Sequence, residues 1–292
     1  MKDSHILRVS KSSLNTFQFC RQQYFIDRVI GMKVPQNDAM LRGTNVHDSV
    51  ELWYQNSEPQ YARGLDAAAL GQYMKNCLPG PQNIRSKQQE FHLDEDLHLD
   101  RFLHAEGQRW EVSEPDHFLP TGNEKVVDCV IELEVDGVKQ LVHFTGIIDR
   151  IFTNPDGSLH IHELKTGLWK DRPYKWEAMR KEMAFYVWLL RKSDDSARIS
   201  HWGWDHTRGL ADSDTQDAHI FRTAEPVSVR ELGLMMADVH ELIRAHRRYR
   251  GDGDGSMFHL IPEGRQYSIC EPWCDLKDFC PRFQQHLGGE EE

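Results

Sequence analysis

Hydrophobic residues recur with two different periods along this chain, and the change of period divides it. From residue 12 to about 29 the apolar positions fall three and four apart, with Leu14, Phe17, Cys20 and Tyr24 on one stripe, which predicts a helix capped by Ser12 or Ser13. A second helix is expected over roughly 40–55. Residues 57–120 carry Pro and Gly breaks and two helix-like stretches near 66–76 and 96–110, and read as a helical insertion. From Val126 the period falls to two: Val126–Val135 and Val138–Phe144 alternate around Asp136-Gly137, a strong hairpin turn. A second hairpin follows, with Ile147–Phe152 and Ser158–Lys165 joined by Asn154-Pro155-Asp156-Gly157. Helical spacing returns over 176–191, strands are expected at Ile199–His206 and Ala218–Arg222, and a long helix runs from Val227 to Tyr249. Gly251-Asp-Gly-Asp-Gly255 reads as a flexible linker to a cysteine-bearing tail. This pattern predicts an α/β fold in four segments: N-terminal helices (1–56), a helical insertion (57–120), a sheet-containing core (121–250), and the linker and tail (251–292).

Chemistry concentrates in the second hairpin. Thirteen residues separate Asp149 from Glu163, and Glu163-Leu164-Lys165 ends its second strand. Alternation puts Glu163 and Lys165 on one face. If the hairpin register sets Asp149 beside them, two carboxylates and one amine share a point. Two close carboxylates repel, and a divalent cation with hard oxygen ligands resolves the repulsion better than one lysine. Such an ion can polarise a phosphodiester and activate water, with Lys165 positioning or deprotonating that water. The competing reading is an ordinary solvated strand face.

With 292 residues, the chain can bury a large core. No apolar run approaches eighteen residues and no signal pattern opens the chain, so a soluble, cytoplasmic protein without membrane association is expected. The net charge of −11 argues against coating a duplex indiscriminately, although basic residues cluster at 21–28, 170–181 and 244–250. Six cysteines in an intracellular chain do not predict disulfides. Cys77 and Cys129 read as small buried hydrophobes. Cys270, Cys274 and Cys280 lie within eleven residues without amphipathic period, and three such thiolates call for a fourth ligand. Cys20 is the leading candidate and His286 its competitor; an iron–sulfur cluster or zinc would fit.

The Asp149…Glu163-x-Lys165 pattern resembles the core of the PD-(D/E)XK nuclease superfamily, in particular its RecB-like branch. Three more segments match in order. Gly43-Thr-Asn-Val-His47-Asp-Ser-Val-Glu51 resembles the G-x-x-x-H-x-x-x-E helix, and Glu182-Met-Ala-Phe-Tyr186 resembles the Q-x-x-x-Y helix with Glu in place of Gln. The Cys20, Cys270, Cys274, Cys280 set resembles the [4Fe–4S] ligands of AddB-type subunits and CRISPR-associated exonucleases, although the spacing Cys-x3-Cys-x5-Cys departs from the usual x2 then x5. The resemblance implies a restriction-endonuclease-like mixed sheet flanked by helices, with a cluster clasping the two ends of the chain. It implies Mg2+ or Mn2+ held by His47, Asp149, Glu163 and the Leu164 carbonyl, with Lys165 acting on water. The implied substrate is DNA, single-stranded or with free ends, with Tyr186 and Lys170 expected to contact it. A helicase or a CRISPR adaptation-complex protein is the implied partner. A non-catalytic end-binding scaffold is the alternative, and a metal-bearing interaction module a third.

Overall fold

The computed structural model describes residues 6–32, 38–56, 98, 101–102, 105–106, 109, 117–166, 173–207, 219–223, 227–259, 270, 274 and 276–281. Lys170, Cys77, His286, the stretch 66–76 and most of the tail lie outside these residues. The chain forms two compact units, one from residues 1–35, 128–146 and 229–292 and one from 36–127 and 147–228.

Two long strands, β2 (Gly122–Val135) and β3 (Val138–Thr153), contribute to both units. Their turn is the expected one, since Asp136 and Gly137 both take positive φ (54° and 73°), as a two-residue primed turn requires. The sheet is mixed, in order β1–β3–β4–β5–β6 with β2 also on β3. It joins an α/β fold of the class expected from the sequence.

In the first unit, β1 (Leu7–Ser10) lies parallel to the start of β3, with Leu7 against Val142 and Ser10 against Thr145. Ser10, two residues earlier than expected, caps helix α1 (Lys11–Phe19) in a capping box with Ser13. The expected continuous helix is broken at Cys20, which is extended (φ −154°, ψ 109°) and caps the short α2 (Arg21–Tyr24) by accepting from the Gln23 N–H at 3.4 Å. A π-helical turn, Phe25–Ile30, ends at Gly31 in the left-handed region (φ 81°). The long C-terminal helix of this unit, Val229–Asp252, buries Met235, Val239, Leu242, Ile243 and Ala245.

The basic run on that helix is occupied within its own unit. Arg244 makes two 2.8 Å bonds to the Asp136 carboxylate, Arg247 donates to the Val135 and Val138 carbonyls at 2.7 Å, and Arg248 pairs with Asp254 at 2.5 Å. Arg244 and Arg247 clamp the β2–β3 turn, and Arg248 pairs just beyond the end of its own helix. Nor does the glycine-rich stretch behave as a loose linker. Asp252 and Asp254 accept from the Asp254 and Ser256 N–H groups, and Phe258 is fully buried among Phe17, Tyr24, Phe25, His246 and Tyr249. The apolar anchor just beyond the glycines fixes the chain where composition alone predicts freedom.

In the second unit, α3 (Asp38–Asn56) buries Val46, Val50, Trp53 and Tyr54. The end of β3 pairs antiparallel with β4 (Leu159–Lys165), Arg150 opposite His162, through the expected Asn154–Gly157 turn. There Asp156 accepts from the Ser158 N–H and Gly157 has φ 76°. Helix α4 (Pro173–Ser193) carries the chain to β5 (Ile199–His206), parallel to β4, and β6 (His219–Thr223) closes the edge antiparallel. Such a crossover between parallel strands needs a helix-length connection.

Arg150 and His162 point to the opposite side of the sheet from Asp149 and Glu163. Arg150 bonds Asp205, Asp205 also accepts from His162 (3.1 Å), and Glu106 takes Tyr54 (2.8 Å) and Arg109 (2.9 Å), all of them buried except the half-buried Arg109. Burial alone would raise Asp205, but His162 and Arg150 hold its carboxyl far below the usual range.

Candidate metal centre

Five segments of the second unit, α3, the start of β2, the end of β3, β4 and α4, converge at the C-terminal end of β4. Glu163, buried, and Lys165 share one face, and the Lys165 ammonium donates to Glu163 Oε2 at 2.8 Å. Asp149 lies one residue before the Arg150–His162 pair, and its Oδ2 accepts from the Leu164 N–H at 2.6 Å. Helix α3 supplies His47, whose Nε2 is 3.2 Å from the Leu164 carbonyl oxygen and whose Nδ1 is 3.7 Å from Asp149 Oδ2. Gly43, one turn before His47, explains how the helix comes so close: a Cβ there would sit 3.3 Å from Thr166 Oγ1.

Electrostatics single out this cluster. Burial, and then the Glu163 carboxylate, push Asp149 up to about 7. Burial lowers His47, but its bond to Glu124 and the Asp149 charge outweigh that and raise it. Desolvation also opposes the charge on Lys165, yet Glu163, Glu182 and Asp149 hold its pKa well above the ordinary lysine value. Lys165 donates to both the Glu163 and the Glu182 carboxylates here.

Glu182 also has a definite place. Its Oε1 accepts from Lys165 Nζ at 2.5 Å, so the carboxylate that stands where glutamine was expected lies against the lysine. Tyr186 is not at the surface as expected for a DNA contact: it is 3% exposed, and burial followed by the Glu163 charge raises its phenol. It braces Glu163 from behind.

One participant was missed by sequence reasoning. Glu124, near the start of β2, brings Oε1 to 3.1 Å from His47 Nδ1, and ligand atoms of His47, Glu124 and Asp149 lie within 4.8 Å of one another. The expected strand began only at Val126, so Glu124 fell in a presumed loop. Its signal was an acidic residue on the strand adjoining the one that carries Asp149.

An imidazole nitrogen, carboxylates and a carbonyl suit a hard or borderline divalent ion. The 3.2 Å between His47 Nε2 and the Leu164 oxygen is near the separation of about 3 Å between neighbouring donors around an octahedral ion with bonds of about 2.1 Å. A divalent cation also answers the crowding of negative charge that raises Asp149. The donor set fits.

The family model for the PD-(D/E)XK nuclease superfamily matches residues 8–281. The chain belongs to that superfamily. Its members use divalent metals, and the His47–Glu124–Asp149 group is a candidate site for one in this member. No curated protein matches the chain. Among solved structures it is similar to SSO0001, at 15% identity and TM-score 0.35 over 90% of this chain and 94% of that one. It is also similar to Scheffersomyces stipitis Rai1 in complex with (3'-NADP)+ and calcium ion, at 12% identity and TM-score 0.20 over 73% of this chain and 58% of that one.

The cysteines of this superfamily member gather in the first unit. Cys20, Cys270, Cys274 and Cys280 line one pocket with Gln22, Gln23 and Ile26. Cys270 and Cys280 are buried against Cys274, and burial followed by its neighbouring thiols raises Cys270. Cys129 is half-buried and outside this group. Among the described residues no helix is long and apolar enough to cross a membrane.

Proposed function

We propose that this chain is a cytoplasmic Mg2+- or Mn2+-dependent deoxyribonuclease acting as an exonuclease on single-stranded or frayed DNA ends. The observation that carries the reading is the meeting of His47, Asp149, Glu163, the Leu164 carbonyl and the Lys165 ammonium at the end of β4. His47, Asp149, Glu163 and the Leu164 carbonyl hold the ion, which supplies Lewis-acid polarisation of the phosphate and activation of water. Lys165, fixed by Glu163 and Glu182, donates hydrogen bonds to the attacking water and the charged phosphate oxygens. Leu164 N–H fixes the Asp149 carboxylate, and Tyr186 limits the freedom of Glu163. Preference for ends and for DNA rests on the likeness of the motifs to the RecB-like branch.

End-labelled single- and double-stranded DNA, incubated with the purified protein and Mg2+, Mn2+ or EDTA, tests the reading. Progressive shortening from ends is expected with either metal and not with EDTA, and Glu163→Ala should lose it. DNA binding without metal-dependent cleavage would instead mark an end-binding scaffold.

In the same reading, Cys20, Cys270, Cys274 and Cys280 hold a [4Fe–4S] cluster that closes a loop of about 250 residues and couples metal binding to folding. Protein purified without oxygen should be brown, with a band near about 400 nm. Cys20→Ala should lose that colour as fully as Cys274→Ala, while Cys129→Ala keeps it. A colourless, zinc-loaded protein would refute the cluster.

A further inference from the structure

An imidazole has two nitrogens and, when neutral, one proton, so the partners of His47 decide which nitrogen is bare. Nδ1 faces Glu124 Oε1 at 3.1 Å and Asp149 Oδ2 at 3.7 Å; Nε2 faces the Leu164 carbonyl oxygen at 3.2 Å. With the proton on Nε2, a bare Nδ1 lone pair would point at two carboxylates. With the proton on Nδ1, the ring donates to Glu124, and Nε2 and the Leu164 oxygen offer two lone pairs toward one point. Only the second arrangement lets His47 Nε2 and the Leu164 carbonyl ligate together, as the metal-centre reading requires.

We propose that Glu124 is the positioning residue of this metal centre, whose carboxylate accepts a hydrogen bond from the His47 Nδ1–H and so turns bare Nε2 toward the cation. The inference rests on the metal-centre reading above and adds a residue that no motif assigned. A carboxylate behind a ligating histidine fixes its tautomer and ring orientation and strengthens it as a donor. The local structure keeps the pair together. Asn123 Nδ2 donates to the Glu51 carbonyl at 3.1 Å, tying β2 to α3 one turn beyond His47. Glu124 itself holds φ 44°, a left-handed conformation rare for a residue with a long side chain, and such strain persists where surroundings impose it.

Mn2+ affinity, measured by electron paramagnetic resonance and calorimetry on the full chain, tests this without reference to cleavage. Glu124→Ala should weaken binding about 10–100-fold. Glu124→Gln keeps an amide oxygen that accepts from Nδ1, and should recover to within about fivefold of wild type. In a His47→Ala background, Glu124→Ala should cost less than about twofold more, because a positioning residue acts only through its partner. In the Mg2+-loaded protein, side-chain nitrogen NMR should find His47 protonated at Nδ1. Thermal melts of each variant confirm folding, and the Gln variant keeps the test open if the Ala variant is unstable. Wild-type affinity in Glu124→Ala alongside weak binding in His47→Ala would overturn this inference and leave the metal centre standing. Equal weakening by Gln and Ala, additive with His47→Ala, would make Glu124 a direct ligand and overturn it too. A wild-type protein that binds no Mn2+ would overturn both.

Discussion

Lys165→Ala is expected to cleave DNA about 10²–10³-fold more slowly than the wild type, the usual cost of removing one preorganised donor from a transition-state site. The magnitude follows from what surrounds the ammonium. Glu163 and Glu182 fix it at 2.8 and 2.5 Å, so it is oriented before substrate arrives and needs no rearrangement during reaction. The proposed metal ligands are untouched, so Mn2+ affinity and DNA binding should each stay within about threefold of wild type, the mark of an interaction made mainly in the transition state. Single-turnover cleavage and fluorescence anisotropy separate the two. Wild-type cleavage rates in this variant would remove Lys165 from the mechanism.

Arg150→Ala should cost about 3–5 kcal/mol of stability, the penalty for leaving buried carboxylates without their cation. Arg150 is buried with Asp205 and Glu106, and Tyr54 also lies in its reach. Arg150→Met should cost nearly as much, since it fills the volume but restores no charge. Urea unfolding at neutral pH measures both, and a loss below about 1 kcal/mol would show that the network relaxes or admits water. The depressed Asp205 pKa gives the sign with pH. Its contribution is present above the unfolded value of about 3.9 and is lost as pH falls toward the lower folded value, so wild type and variant should converge in acid.

Where local chemistry decides the structure, the sequence was a reliable guide. Asp136-Gly137 and Asn154–Gly157 mark their turns because positive φ at those positions selects their residues. Period two placed Glu163 and Lys165 on one face, and the turn between the strands set Asp149 near them. Most of the differences concern partners remote in sequence. Glu124 reaches His47 across 77 positions, and nothing in its own segment marks it. The run Arg244–Arg250 reads only as clustered charge, because the carbonyls and carboxylate of the β2–β3 turn that Arg244 and Arg247 hold lie 108 to 112 positions away. Glycines at 251–255 imply freedom that Phe258 removes. Cys20 sits on a fair helical stripe, but its thiol caps the next helix and breaks the first.

The shared pocket of Cys20 and the three late cysteines sets an order of events during synthesis. Cys20 leaves the ribosome first and its companions follow some 250 residues later, on the order of tens of seconds at about 5–20 residues per second. All of the second unit emerges in that interval and is free to fold with its carboxylates and lysine in place. The first unit has to wait, with one thiol and the aromatic rings destined to enclose Phe258 still uncovered. Closure of the pocket therefore requires that translation has passed Cys280, by which time the whole of the second unit has already been made.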